Sequence, residues 1–170
     1  MKTWMLGLFL AVLVAPAGRA TDLLLSFSGG IGVDPVSGIS AGPPIVPTSN
    51  MVRNVGPGGA PWRIGSLRAD IDVEGHIRVV GRGLLLAGGN GIGTNAGQSV
   101  HAMLFCGPAA TATKHETTVA GVALAANGDF RIDDTLTPRP PASCTTPVLL
   151  IASPAPRWFA AGILANDEDD

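Results

Sequence analysis

From Leu67 to Val73 every second residue is apolar: Leu67, Ala69, Ile71 and Val73 alternate with Arg68, Asp70, Asp72 and Glu74. A period of two is that of a strand with one buried and one wet face; helices instead repeat every 3.6 residues. Ile77 and Val79, split by Arg78, repeat the pattern after a turn at Glu74-Gly75-His76. Same-face residues pair across a hairpin, which predicts Val73 opposite Ile77 and Asp72 opposite Arg78. The phase slips between Ile64 and Leu67, predicting a bulge at Gly65-Ser66. Leu84-Leu85-Leu86 is apolar on both faces and reads as a covered central strand.

Five further segments read as strands. Ser99–Cys106 is one. Thr117–Ala126 and Asp129–Asp134 flank Asn127-Gly128, a type I′ hairpin signal that sets Phe130 opposite Ala125 and Ile132 opposite Ala123. Val148–Ala152 and Trp158–Leu164 make a last pair around Ser153-Pro154-Ala155-Pro156. The chain holds 23 glycines and 14 prolines, the punctuation of a turn-rich β protein. The expected fold is all-β: an antiparallel β-sandwich or compact barrel of about 7–8 strands.

Four regions follow: a signal peptide over residues 1–20, a Gly/Pro-rich arm over 21–61, a β domain over 62–165 and an acidic tail over 166–170. The first region has a basic Lys2, an apolar run from Trp4 to Val14, the helix breaker Pro16 and a small-residue exit, with cleavage after Ala17 or Ala20. The run is shorter than the roughly 20 residues that span a bilayer. The reading is therefore a secreted or periplasmic protein with no membrane anchor after cleavage. In the arm, Leu23-Leu24-Leu25-Ser26-Phe27 reads as a strand, and Gly29-Gly30-Ile31-Gly32-Val33 as its extension past a bend. Pro35, Pro43, Pro44, Pro47 and Pro57 bar a helix from the rest, so the arm is expected to lie across the domain.

Loss of Lys2 and Arg19 leaves nine basic residues against 13 acidic ones. That balance argues against nucleic acid as a partner and against electrostatic docking on anionic membranes. In an exported protein Cys106 and Cys144, the only cysteines, are expected to form a disulfide. Closing that loop stabilises by roughly 4 kcal/mol in the chain-entropy description.

Several patterns bear on chemistry. Gly38-Ile39-Ser40-Ala41-Gly42 matches a nucleophile elbow, but Pro43-Pro44 replace the helix that an elbow needs. His76, His101 and His115 are metal-ligand types. His101 and Cys106 point to opposite faces of one strand, and His76 and His115 read as solvated turn and loop residues. Asp129, Asp133 and Asp134, with Asn127, offer oxygens for Ca²⁺, yet alternate residues on a strand stand about 7 Å apart. No metal and no cofactor is assigned, and no catalytic residue. Trp62 and Trp158-Phe159 are read as core rather than as a sugar-stacking platform. The loop Gly88–Gly97 is the candidate ligand loop, through Gly89, Asn90, Gly91, Gly93 and Asn95. Its glycines predict either mobility or contact with the arm.

Phe27-Ser28-Gly29-Gly30-Ile31-Gly32-Val33, Arg82-Gly83-Leu84-Leu85-Leu86-Ala87-Gly88-Gly89, Leu104-Phe105-Cys106, Gly128-Asp129-Phe130-Arg131-Ile132 and Trp158-Phe159-Ala160-Ala161-Gly162 together form a distinctive pattern. It resembles a group of secreted bacterial proteins of unassigned function. The resemblance spans nearly all of the mature chain and implies export and a bacterial origin, but no activity. The resulting expectation is an exported, non-enzymatic β module, binding or structural, whose partner is unknown. The alternative is an exported hydrolase whose site assembles only in three dimensions.

Overall fold

The computed structural model describes residues 22–165. The expected signal peptide and the acidic tail lie outside those residues. The strands, in chain order, are β1 (Leu23–Gly32), β2 (Val36–Ile39), β3 (Pro47–Ser49), β4 (Gly56–Pro57), β5 (Trp62–Arg63), β6 (Ser66–Asp72) and β7 (His76–Arg82). They continue with β8 (Leu85–Leu86), β9 (Ser99–Cys106), β10 (Thr113–Glu116), β11 (Val122–Ala123), β12 (Phe130–Thr135), β13 (Val148–Ala152) and β14 (Arg157–Leu164). The described chain is all-β.

One large sheet runs in the order β10-β9-β13-β14-β1-β6-β7-β12, with β11 on β9 and β4 on β14. Every pairing along that path is antiparallel. The sheet curls until its two edges meet: Glu116 and Thr137 exchange backbone hydrogen bonds at 3.0 and 2.9 Å. At the same seam the Thr118 amide donates to Asp134 Oδ2 at 2.8 Å. Of the two expected architectures, the observed one is a nearly closed barrel. Phe27, Leu67 and Leu149 converge inside it on the backbone of Gly162. Phe27, Leu104 and Leu149 are fully buried, and each such side chain contributes roughly 1.5–3 kcal/mol of burial.

The boundary expected at residue 61 divides this sheet. β1 is a central strand between β14 and β6, because its apolar residues belong to the core. The bend expected within it is real: the register with β14 shifts between Phe27 and Gly30, and Gly29 takes φ +95°, a conformation natural only to glycine. Beyond Val33 the chain does lie across the barrel. β2 and β3 form an exposed hairpin, and then Asn50, Arg53 and β4 fasten the segment to β14 and its surroundings. Trp158 Nε1 donates to the Asn50 carbonyl at 2.9 Å, and Arg53 Nη2 to the Thr146 carbonyl at 3.0 Å.

Four local expectations are corrected. In the β6–β7 hairpin Ile71 faces Ile77 and Asp70 faces Arg78, two residues away from the expected register. The turn is wider because Asp72 Oδ1 accepts the amides of both Glu74 and His76, each at 2.9 Å. A slip of two keeps every side chain on its expected face. Leu84–Leu86 is no central strand: only Leu85–Leu86 is extended, as β8 paired with β5 in a separate two-stranded sheet. Ile64-Gly65 is accordingly a break between β5 and β6 rather than a bulge.

The hairpin expected around Asn127-Gly128 is the fourth. The turn forms, with Gly128 N donating to Ala125 O at 2.8 Å and Ala125 N to Asp129 O at 2.9 Å. Its arms, however, become the two edges of the barrel. β12 takes all its ladder pairs from β7, and β10 and β11 take theirs from β9.

Cys106, at the end of β9, is bonded to Cys144, with 4.8 Å between Cα atoms. This ties the Pro-rich segment before β13 to the barrel and fits an oxidising environment.

Candidate functional site

Two of the hollows on the described surface are similar in size and differ in chemistry. The first, about 340 Å³, lies where the arm meets β14. One wall is the stretch Gly58-Gly59-Ala60. The opposite side is formed by Ser153, Ala155 and Arg157, from the β13–β14 turn and the start of β14. Trp62, Phe159, Leu86 and Gln98 complete it.

The floor is set by a bulge. Ile151 faces Ala160 but Ala152 faces Trp158, so Phe159 is an extra residue in β14. The bulge turns its ring onto Trp62; the ring centroids are 4.3 Å apart and the planes 20° from parallel. Val33 N donates to Phe159 O and Gly58 N to Trp158 O, both at 2.9 Å, so the arm is fastened on either side of the bulge. Gly58 sits so close to this pair that a Cβ there would fall 2.8 Å from the Phe159 ring and 3.0 Å from Trp62 Nε1. Only glycine lets the backbone approach the stack.

The polar groups of this groove are under-used. Trp62 Nε1 and the amides of Gly59 and Ala60 have no hydrogen-bond partner among the described residues. Arg157 is the one charged lining residue and forms no ion pair among the described residues. Ser153 Oγ, by contrast, is engaged, donating to Ala155 O at 2.8 Å.

The second hollow, about 360 Å³, lies on the outer face of β6 and β7 and is lined by Leu23, Arg68, Asp70, Asp72, His76 and Arg78. Its charges already satisfy one another. Arg68 Nε meets Asp70 Oδ2 at 3.4 Å, and Ser26 Oγ donates to Asp70 Oδ1 at 2.8 Å. His76 Nε2 meets Asp133 Oδ1 at 2.7 Å, and Arg78 Nε meets the other oxygen of Asp133 at 3.5 Å. The His76 hydrogen bond, with Arg78 adding to it, holds the Asp133 carboxyl below its ordinary range.

The candidate ligand loop is ordered by its own turns. Thr94 N donates to Gly91 O, and Leu86 exchanges backbone bonds with Gly93 and Thr94. Asn95 Nδ2 is spent on the carbonyls of Leu124 and Ala125, at 2.9 and 3.0 Å. The arm contributes the Pro61 carbonyl, which accepts from Ala87 N at 2.8 Å. Gly89, Asn90, Gly91, Gly93 and Asn95 do not line the groove; Leu86 and Gln98, on either side of the loop, do.

The other candidates separate. Ser40 lies on the exposed hairpin loop, where its hydroxyl bonds Gly42, Pro44 and Val46. Asp129 accepts from the Gly83 amide and from Asn127, while Asp134 accepts from the Thr118 and Thr135 amides. The Thr118 bond is the main cause holding Asp134 below its ordinary range. Among the described residues no group of three or more His, Cys, Asp or Glu side chains converges on a metal-sized space. Trp62, Trp158 and Phe159 are buried, as the core reading requires.

One histidine, His115, differs from expectation, and a second, His101, is unusually placed. His115 is buried rather than solvated: Nδ1 meets the Pro138 carbonyl at 2.7 Å and Nε2 meets Thr113 Oγ1 at 3.0 Å. His101 is 1% exposed, and neither of its ring nitrogens has a hydrogen-bond partner. Burial, opposed by Glu116 with Oε2 3.8 Å from Nε2, keeps His101 below the ordinary histidine range.

Sequence reasoning missed Arg157, Gly58–Ala60 and the bulge at Phe159. A signal for Arg157 exists: it is the only charged residue between Arg139 and Asp167, and it adjoins Trp158-Phe159. No family model, curated protein or solved structure matches the chain.

Proposed function

We propose that this chain is an exported, non-enzymatic binding module that holds a small ligand in the groove between residues 58–60 and the β13–β14 turn. The observation that carries the reading is the Trp62–Phe159 stack set beside donors with no partner. A mostly apolar concavity with a few convergent polar groups is the usual form of a small-molecule site. The basic-apolar-small order of residues 1–20, the Cys106–Cys144 disulfide and the resemblance to secreted bacterial proteins support export from a bacterial cell.

A thermal-shift screen of the exported chain against a fragment library tests this, with hits repeated on Ala155→Trp, which fills the groove. The expected result is at least one stabilising fragment whose effect disappears in the variant. Hits that stabilise both chains equally, or a screen without hits, would overturn it.

A further inference from the structure

We infer that the groove selects a small organic acid: an apolar body bearing one carboxylate. The inference rests on the binding-module reading and names its ligand class.

Size comes first. About 340 Å³ is near the lower end of ligand pockets, which run from roughly 300 to 1,000 Å³. It admits a single ring or a short chain, not an oligosaccharide or a folded peptide segment. Shape comes next. Trp62 and Phe159 stack on each other and are each only 5% exposed, so they offer ring edges rather than faces; with Leu86 and Ala155 they make an apolar margin that a small hydrocarbon body complements.

Charge decides the class. Arg157 is the only ionised lining group, and a guanidinium offers donors and no acceptor. Trp62 Nε1 and the consecutive amides of Gly59 and Ala60 are further donors without partners among the described residues. The carbonyls of Gly58, Gly59 and Ala60 are equally without partners among the described residues, so the sign of the ligand is set by the one cation of the lining, Arg157, which favours an anion. A carboxylate meets that need and suits the planar fork of arginine. A cationic ligand would meet the Arg157 charge with no carboxylate in the lining to offset it. In the second hollow the same reasoning fails, because Asp70 and Asp133 already occupy its arginines.

Calorimetric titration of the exported chain with phenylacetate and with its neutral isostere phenylacetamide tests the inference. The Trp62 indole and the Gly59 and Ala60 amide resonances report the place of binding. Phenylacetate should bind in the groove more tightly than the amide. Arg157→Gln should weaken phenylacetate at least about tenfold, the worth of a charge-assisted hydrogen bond, and leave phenylacetamide unchanged. Arg157→Lys, which keeps the charge but loses the fork, should fall between the two. Equal affinities, or a preference that survives Arg157→Gln, would overturn the acid class and leave the binding reading standing. Silence of all three resonances at millimolar concentrations of both probes would overturn the class and the binding reading together.

Discussion

The two hollows rest on two differently built walls of the same barrel. Below the polar hollow, β6 and β7 alternate strictly between buried and accessible residues, and β12 does so from Phe130 to Asp133. Below the groove, β9 and β13 are buried on both faces almost from end to end. Beside this wall, chain from the arm is fastened to β14 and to the segment before β13 through Trp158, Arg53 and β4. At Gly58–Ala60 that chain leaves an edge, and the edge is the groove. In the polar hollow each charge lies on an open strand face beside an opposite charge. In the groove a lone arginine and idle donors sit beside aromatic surface. A concavity invites a ligand through what it leaves unsatisfied, not through its volume.

Substitution in the two walls should separate them most strongly. Leu150→Ala, in the doubly buried β13, should cost about 2–5 kcal/mol in urea unfolding. Val80→Ala, on the outer face of β7, should stay within about 0.5 kcal/mol. Equal effects would break the distinction between the walls.

Acid should attack the walls in separate pH windows. The folded-state pKa of His101 lies below the ordinary 6.5, so the unfolded chain takes that proton first. Its contribution is therefore intact above about pH 6.5 and is lost as the pH falls from there toward the folded value. His101→Leu should flatten the stability curve in that window. Asp133 and Asp134 have folded values below the ordinary 3.8, so their contribution is present above it and disappears only as the pH falls through the folded values. Unfolding followed from pH 8 to pH 3 checks both.

Smaller effects sharpen the contrast. Asp134→Asn removes the charged acceptor of the Thr118 amide and should cost about 1 kcal/mol by loosening the seam. Arg157→Gln should leave stability unchanged within about 0.5 kcal/mol, because the residue is exposed and forms no ion pair among the described residues.

What the sequence made legible follows the same division. Strict alternation in Leu67–Val73 revealed the faces of β6 because one side stays wet. It could not reveal the turn width, which the Asp72 side chain sets. The doubly buried wall lacks alternation, so Ser99–Cys106 was legible as a strand but not by its faces. The Asn127-Gly128 turn was legible, yet its arms separate, β12 pairing along its whole length with β7 while Val122 and Ala123 of the other arm pair with β9. Trp62, Phe159 and Arg157 are far apart in the chain. Their meeting depends on a one-residue bulge and on where the arm crosses, and neither leaves a local pattern.

An ¹H–¹⁵N titration of the protein with phenylacetate compares both hollows in a single experiment. The account predicts that the Trp62 indole and the amides of Gly59, Ala60 and Ala155 move while those of Arg68, Asp70, His76 and Arg78 stay in place. Movement confined to the second set, or no movement in either, would contradict it.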